Sequence, residues 1–303
     1  MSDASDDVSR LTAVVYADKA EEVFTWLGEQ GLNESSYRAM LLAVEGTLPE
    51  LPADDEEEDD DAKPNGSRNR ISREELLTAL EPGTHLSRIQ LVMVALSTIV
   101  AAIGLTRDDV AIIIGAMVIA PLLTPNMALA LATTLGDLTM ARRSLLTNAA
   151  GVGLAFALAV AIGLVYPVDT ESQQIVNRTQ VSLGDVLLAL AAGAAGAISV
   201  TSGVSAALVG VMVAVALLPP LVACGLLLGA GQPAAAAGAA LLTATNIISV
   251  NLAGVVSFVT QGIRPRKWYE NDNARRATWI AIALWSLTLA ALVVVIIFSQ
   301  TRD

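Results

Sequence analysis

From residue 89 onward the chain runs in long apolar stretches parted by short polar turns, whereas polar and charged positions dominate before it. A bilayer core about 30 Å thick needs about 20 helical residues. Seven stretches come close to that length, at residues 89–105, 110–135, 145–166, 181–200, 204–229, 235–259 and 278–298. The pattern therefore predicts seven membrane-spanning helices. Ahead of them, "LTAVVYA" alternates like a strand, "DKAEEVFTWLGEQG" carries Val23, Phe24 and Leu27 at helical spacing, and "SSYRAMLLAVEG" returns to a strand-like run. Residues 1–52 are thus expected to form a small βαβ head, a ferredoxin-like fragment too short to bury a core alone. Such a head is expected either to dock on other copies of the chain, in a homo-oligomer, or to be half of a larger ferredoxin-like module.

Residues 53–71 join an unbroken acidic block to Pro, Asn, Gly and Ser, a composition that cannot offset ordering entropy by burying apolar area. They predict a flexible linker. A calcium site is the sharper alternative, but a calcium loop needs spaced ligands with a turn glycine among them, and the acidic block 54–61 is unbroken. Over residues 72–87, Ser72 and Glu75 form a capping box that opens a short helix, and Pro82 with Gly83 ends it. This helix is expected to lie against the inner membrane face.

One apolar stretch contains helix breakers. "GAMVIAPLLTP" places Pro121 and Pro125 four residues apart in the second span. A shift of 95 residues lays "AIIIGAMVIAPLLTPNMALALATTLG" on "AALVGVMVAVALLPPLVACGLLLGAG", so that Gly115 meets Gly210, Met117 meets Met212, Pro125 meets Pro220 and Gly136 meets Gly231. The same shift pairs Thr106 with Thr201. Three spans precede the second copy, an odd number, so the copies (88–166 and 181–262) enter the membrane in opposite senses. The seventh span, 278–300, is appended. Inverted repeats with interrupted helices are a signature of secondary transporters. Proline withholds a backbone donor and obstructs the preceding turn, so breaks are expected at Pro121–Asn126 and again at Leu217–Pro220. In hydrocarbon such backbone must face protein or a watery cavity.

The expected fold is therefore an all-α polytopic membrane protein with seven transmembrane helices, an inverted 3+3 repeat and two broken helices, preceded by a small α+β head. Candidate solute- or ion-binding positions are Gly115, Pro121, Thr124, Pro125 and Asn126 in the first break, and Gly210, Pro219 and Pro220 in the second. Thr201 and Ser202 cluster with Ser199 and Ser205 before the fifth span. Thr147 and Asn148 are echoed by Thr245 and Asn246 at an offset of 98. Each polar residue either lines a cavity or bonds across helices. Asp185 is the one ionisable residue inside a predicted span, either a cation or proton relay or a side chain that snorkels to the interface. Asp108, Asp109 and Asp137 are expected at span ends.

Composition sharpens this picture. The chain of 303 residues is 54% apolar with only 4% aromatics, and its net charge is -12. Residues 1–87 hold 21 acids against 7 bases, and the remainder 9 against 11. The acid excess lies in the soluble part, which argues against nucleic acid as a partner. Three of the 18 basic residues are Lys, an acidic, Arg-biased composition like that of proteins from high-salt organisms. Arginines near span ends mark the cytoplasmic side; Arg142, Arg143, Arg264, Arg266, Lys267, Arg275 and Arg276 fall on the side of the head. The N-terminus is thus expected in the cytoplasm and the C-terminus outside the cell membrane. "NRT" at Asn177 is a glycan acceptor sequence on a predicted outer loop. One cysteine, Cys224, and one histidine, His85, leave no triad, metal site or cofactor motif. An enzyme is not expected.

The run "GAMVIAPLLTPNMALALATTLGD" resembles the hallmark of a prokaryotic membrane family, the domain of unknown function 389 family, also called the uncharacterised hydrophobic domain family. Gly115, Met117, Ala120, Pro121 and Pro125 match its "GAM-IAP---P" pattern, with an acid at Asp137. The resemblance covers about two thirds of the chain and implies a membrane architecture, with a head shorter than the ferredoxin-like domain often found in the family. It implies no activity. Function then rests on the physics: a transporter or channel for a small solute or ion is expected, the alternative being a membrane scaffold or sensor with a ligand-responsive acidic head.

Overall fold

The computed structural model describes residues 23, 26, 73–202, 206–263 and 271–300. The expected βαβ head and acidic linker lie outside the described residues, as does Ser205. Two compact units divide at Glu75 and Leu76, and the second contains every helix discussed below apart from the first residues of α1.

The described elements of this unit are all helical. Helix α1 (Arg73–Leu80) runs into a 3-10 turn (Glu81–Thr84), followed by α2 (Arg88–Thr106), α3 (Val110–Ile119), α4 (Leu123–Leu135), α5 (Leu138–Val165), the short α6 (Gln173–Val176), α7 (Leu183–Ser202), α8 (Ala206–Gly229), α9 (Pro233–Thr260) and α10 (Asn271–Gln300). Four of them, α2, α5, α7 and α9, are long and apolar enough to cross a membrane, and α3 with α4 makes a fifth candidate bent by 53°. The described apolar parts of α8 and α10, Val213–Gly229 and Ile282–Ile297, are shorter. This is the architecture of a multi-pass membrane protein.

Short polar residues set the helix ends. Ser87 accepts from the Gln90 amide at the start of α2, Asp109 from Ala111 and Ile112 at α3, and Asp137 from Met140 at α5. Asp109 and Asp137 thus mark helix ends, as their positions predict. Because Asp137 starts α5 at Leu138, Arg142 and Arg143 sit within its first turns, exposed, and not in a loop. At the far end of α4, Gly136 takes a left-handed φ of 68°, a conformation that costs a side chain energy. The amide of Asp137 then reaches the Ala132 carbonyl at 2.9 Å.

Helices α2, α5 and α8 end near one another, where α7 and α9 begin. The Ser172 hydroxyl donates to the Leu105 carbonyl at 3.0 Å, tying the α5–α7 connection to the end of α2. A β-carbon on Gly238 would strike the Thr179 carbonyl, and Gly163 and Gly229 sit against the backbones of Leu226 and Val160. Small residues let these backbones approach closely where lipid provides no hydrophobic drive. Helix α5 packs along α8, while α9 packs on α7, α8 and α4.

Helix α1 does not simply rest on a surface. Leu76 and Leu80 are buried in the same apolar cluster as Leu122 and Leu123, because the turn that follows α1 is drawn against α4. Gly83 and Thr84 are buried with them.

Filling a close helix contact should be far more costly than adding bulk at an open one. Gly163→Leu or Gly229→Leu is expected to lose about 2 kcal/mol and to lower the thermal midpoint in detergent clearly. Gly115→Leu, where a β-carbon meets nothing within 4 Å, should leave the midpoint almost unchanged.

Candidate functional site

The break between α3 and α4 is where the chain departs most from regular helix. Pro121 withholds the donor that the Met117 carbonyl would take, and Pro125 the donor for the Pro121 carbonyl. Ala120, which precedes a proline, takes extended backbone at φ -70° and ψ 117°. The Leu122 amide turns back to the Ala120 carbonyl at 2.9 Å, and α4 begins with no side chain capping it. Pro125 falls in the first turn of α4, where a missing donor costs little.

Amide side chains then take over. Asn126 donates through Nδ2 to the Leu122 carbonyl at 2.7 Å. Its Oδ1 accepts from Asn251 Nδ2 of α9 at 3.0 Å, and the second hydrogen of Asn251 Nδ2 goes to the Ile247 carbonyl at 2.9 Å. The two asparagines are 3% and 1% exposed. Flipping either amide would set oxygen against a backbone carbonyl, so the network fixes their orientation.

The second proline pair behaves differently. Pro219 and Pro220 lie inside α8, which runs unbroken from Ala206 to Gly229. The expected break at Leu217–Pro220 is therefore absent. The reason is geometric: where the first copy has Pro121 the second has Ala216, and the carbonyl that Pro220 leaves free is that of Ala216. Asn246 of α9 donates to it through Nδ2 at 2.7 Å. An amide from the neighbouring helix thus replaces the lost backbone donor and the helix continues.

Other sequence candidates separate from this centre. Gly115 is exposed on the outside of α3. Gly210 is in ordinary contact distance of the Leu123 side chain, with 3.7 Å for a β-carbon there, so it lies beside the break. The backbone of Thr124 contacts the pre-membrane turn: a β-carbon on Gly83 would meet the Thr124 carbonyl oxygen at 2.6 Å and Pro125 N at 2.9 Å. Thr201 and Ser202 donate to carbonyls of their own helix, at Ala197, Ile198 and Ser199. Asn148 leaves a buried Nδ2 with no partner among the described residues, although its repeat mate Asn246 is bonded.

Asp185 caps the first turn of α7. Its Oδ2 accepts from the Ser182 amide at 2.8 Å and hydroxyl at 2.7 Å, while its own amide approaches Ser182 Oγ at 3.3 Å. This reciprocal capping box places it at the mouth of α7. Nearby, Asp108 holds a left-handed φ of 57° and accepts from Ser172 Oγ and the Gln174 amide. Burial pushes the Arg178 guanidinium below its ordinary value and the Asp108 charge pulls it back up. Among the described residues no group of three or more His, Cys, Asp or Glu could hold a metal ion.

Sequence reasoning missed Asn251. Its repeat position at the offset of 98 is Gly153, so a search for matched polar residues passes over it. Two asparagines in one long apolar helix were the available signal. Gly83 was read as a helix stop, and nothing in its local sequence announces its close approach to Thr124.

Comparison with known proteins places this centre in a lineage. Uncharacterized protein MJ0678 of Methanocaldococcus jannaschii is 38% identical to this chain over 264 residues, 87% of this chain and 80% of that protein. The family model described as "Domain of unknown function (DUF389)" matches residues 117–252. The chain belongs to the DUF389 family. In this DUF389 protein the matched region starts three residues before Ala120 and ends one residue past Asn251, so it brackets the break and its amide partner. No solved structure matches.

Asn246 and its repeat mate Asn148 give a paired test in the DUF389 chain. Asn246→Leu strands the Ala216 carbonyl and is expected to cost about 1 kcal/mol, whereas Asn148→Leu removes an unpaired buried donor and should be neutral or stabilising. Reversible unfolding in mixed micelles measures both; equal losses would contradict the assignment.

Proposed function

We propose that the chain is a seven-span transporter or channel for a small solute or ion, with its site at the broken helix. The observation that carries this reading is the unwound segment between α3 and α4, buried within the bundle and attended by the neutral pair Asn126 and Asn251. Irregular backbone at membrane depth is tolerated where it lines protein or a cavity, and interrupted helices are the usual frame of transport sites.

The seven spans are α2, the α3–α4 pair, α5, α7, α8, α9 and α10. An inverted 3+3 repeat is supported by local structure that recurs at the offset of 95. Thr106 donates to the carbonyls of Ala102 and Ile103, and Thr201 to those of Ala197 and Ile198. Gly136 and Gly231 both take left-handed backbone, and the next amide reaches Ala132 in one copy and Leu227 in the other. The third helix of each copy also packs on the second segment of the other, α5 on α8 and α9 on α4. The arginine distribution favours a cytoplasmic N-terminus and an external C-terminus in the cell membrane. Many apolar side chains on α2, α3, α5 and α7 are exposed, which suits lipid and other copies of the chain.

A second reading, a membrane sensor, is favoured by the seat of Gly83 on the Thr124–Pro125 peptide. That contact would connect the soluble N-terminal region to the break. Under either reading an enzyme is not proposed.

Flux in proteoliposomes separates the two readings. Asn126→Ala is expected to reduce flux about tenfold or more, while Asp185→Asn, which weakens a cap, should cost stability of about 1 kcal/mol and little flux. Gly83→Val should change the rate by displacing the turn. Absence of flux for every solute tried, with Gly83→Val still altering protease protection of the head, would favour the sensor.

A further inference from the structure

The oxygen atoms of α9 are left over once every amide nitrogen of the centre is placed. Asn246 commits Nδ2 to the Ala216 carbonyl and Asn251 commits both hydrogens of Nδ2, so orientation is fixed and each Oδ1 points away from a donor. No described residue donates to Asn246 Oδ1 or Asn251 Oδ1, and both side chains are buried, at 4% and 1% exposure. The same helix carries the buried hydroxyls of Thr245 and Ser249, also without a partner. Other buried hydroxyls turn back to their own helix, as Thr98 does to Val94, Thr134 to Ala130 and Thr243 to Ala239, with Ser144 of α5 a further exception. Residues 245–251 therefore hold an unusual surplus of neutral oxygen, and α9 is the helix that bonds both proline-bearing segments.

A buried acceptor without a donor costs about 1–3 kcal/mol, so several on adjacent turns call for something that brings positive charge or hydrogen. An anion would be repelled by these oxygens. A divalent cation needs carboxylates to offset its dehydration, and the acids at Asp108, Asp109, Asp137 and Asp185 are all engaged at helix ends or in loops. The carbonyls freed at the break belong to the C-terminal, partially negative end of α3. Hard oxygen ligands without net charge suit an alkali cation.

We propose that Asn251 Oδ1, held beside the broken helix by the Asn126–Asn251 bond, binds a dehydrated monovalent cation. This deepens the transport reading, and rests on it for the cation's role as cargo or coupling ion. Binding itself is measurable without flux. Thermal unfolding of the purified full-length protein in detergent is followed in sodium, potassium, rubidium and calcium chlorides, with choline chloride as the control. One alkali ion is expected to raise the midpoint saturably, with choline and calcium giving no specific shift. Asn251→Ala should weaken the apparent affinity for that ion about tenfold or more. Asn251→Asp keeps the size and adds charge, so it should bind more tightly and admit calcium; it also serves if the alanine variant does not fold. Equal behaviour of all salts means that water alone satisfies the oxygens and overturns the site, as does a shift unchanged in both variants. A specific shift without any flux upholds the site and removes the transport reading instead.

Discussion

A backbone polar group in hydrocarbon has no water to turn to, and the centre of this protein is organised by that single demand. Proline creates the difficulty by withholding a donor; in α8 an asparagine answers it directly, and at the break two others bind the unwound chain to its neighbour. Asn126 covers the Leu122 carbonyl at the start of α4, Asn246 covers the Ala216 carbonyl of α8, and Asn251 joins the first of these to α9. Close glycine contacts make the arrangement possible. Gly196 and Gly254 admit Leu123, Met127 and Ala130 of α4 so closely that β-carbons there would lie 3.0 and 2.9 Å from their nearest neighbours.

The two proline segments show that a breaker does not by itself specify a break. Pro121 and Pro125 remove donors from successive turns, and the chain responds by extending at Ala120 and bending by 53°. In α8 adjacent prolines leave their vacancies within one turn, and a single amide from α9 restores one of them. The outcome depends on what the neighbouring helix offers at that height, which is a tertiary property.

Much of the membrane architecture was legible for the same reason that membranes are restrictive. Long apolar runs and the span-end aspartates at 109 and 137 follow from local chemistry, and each is where the pattern places it. The second break was misread because its rescue by Asn246 comes from a residue 30 positions away. Asp185 lies near the end of a span, as the pattern has it, but hydropathy cannot see that Ser182 caps the helix just before it. Asn251 escaped a search built on matched halves, and the burial of Leu76, Leu80 and Gly83 reflects packing that no local periodicity encodes.

The positions of the amides also bear on direction. At the offset of 95 the residue corresponding to Asn126 is Leu221, and that corresponding to Asn251 is Phe156, or Gly153 at the offset of 98. Each member of the bonded pair thus lacks an equivalent in the opposite half. A bundle built from two like halves but holding one amide bridge would not be an energetic mirror of itself when tilted toward either leaflet.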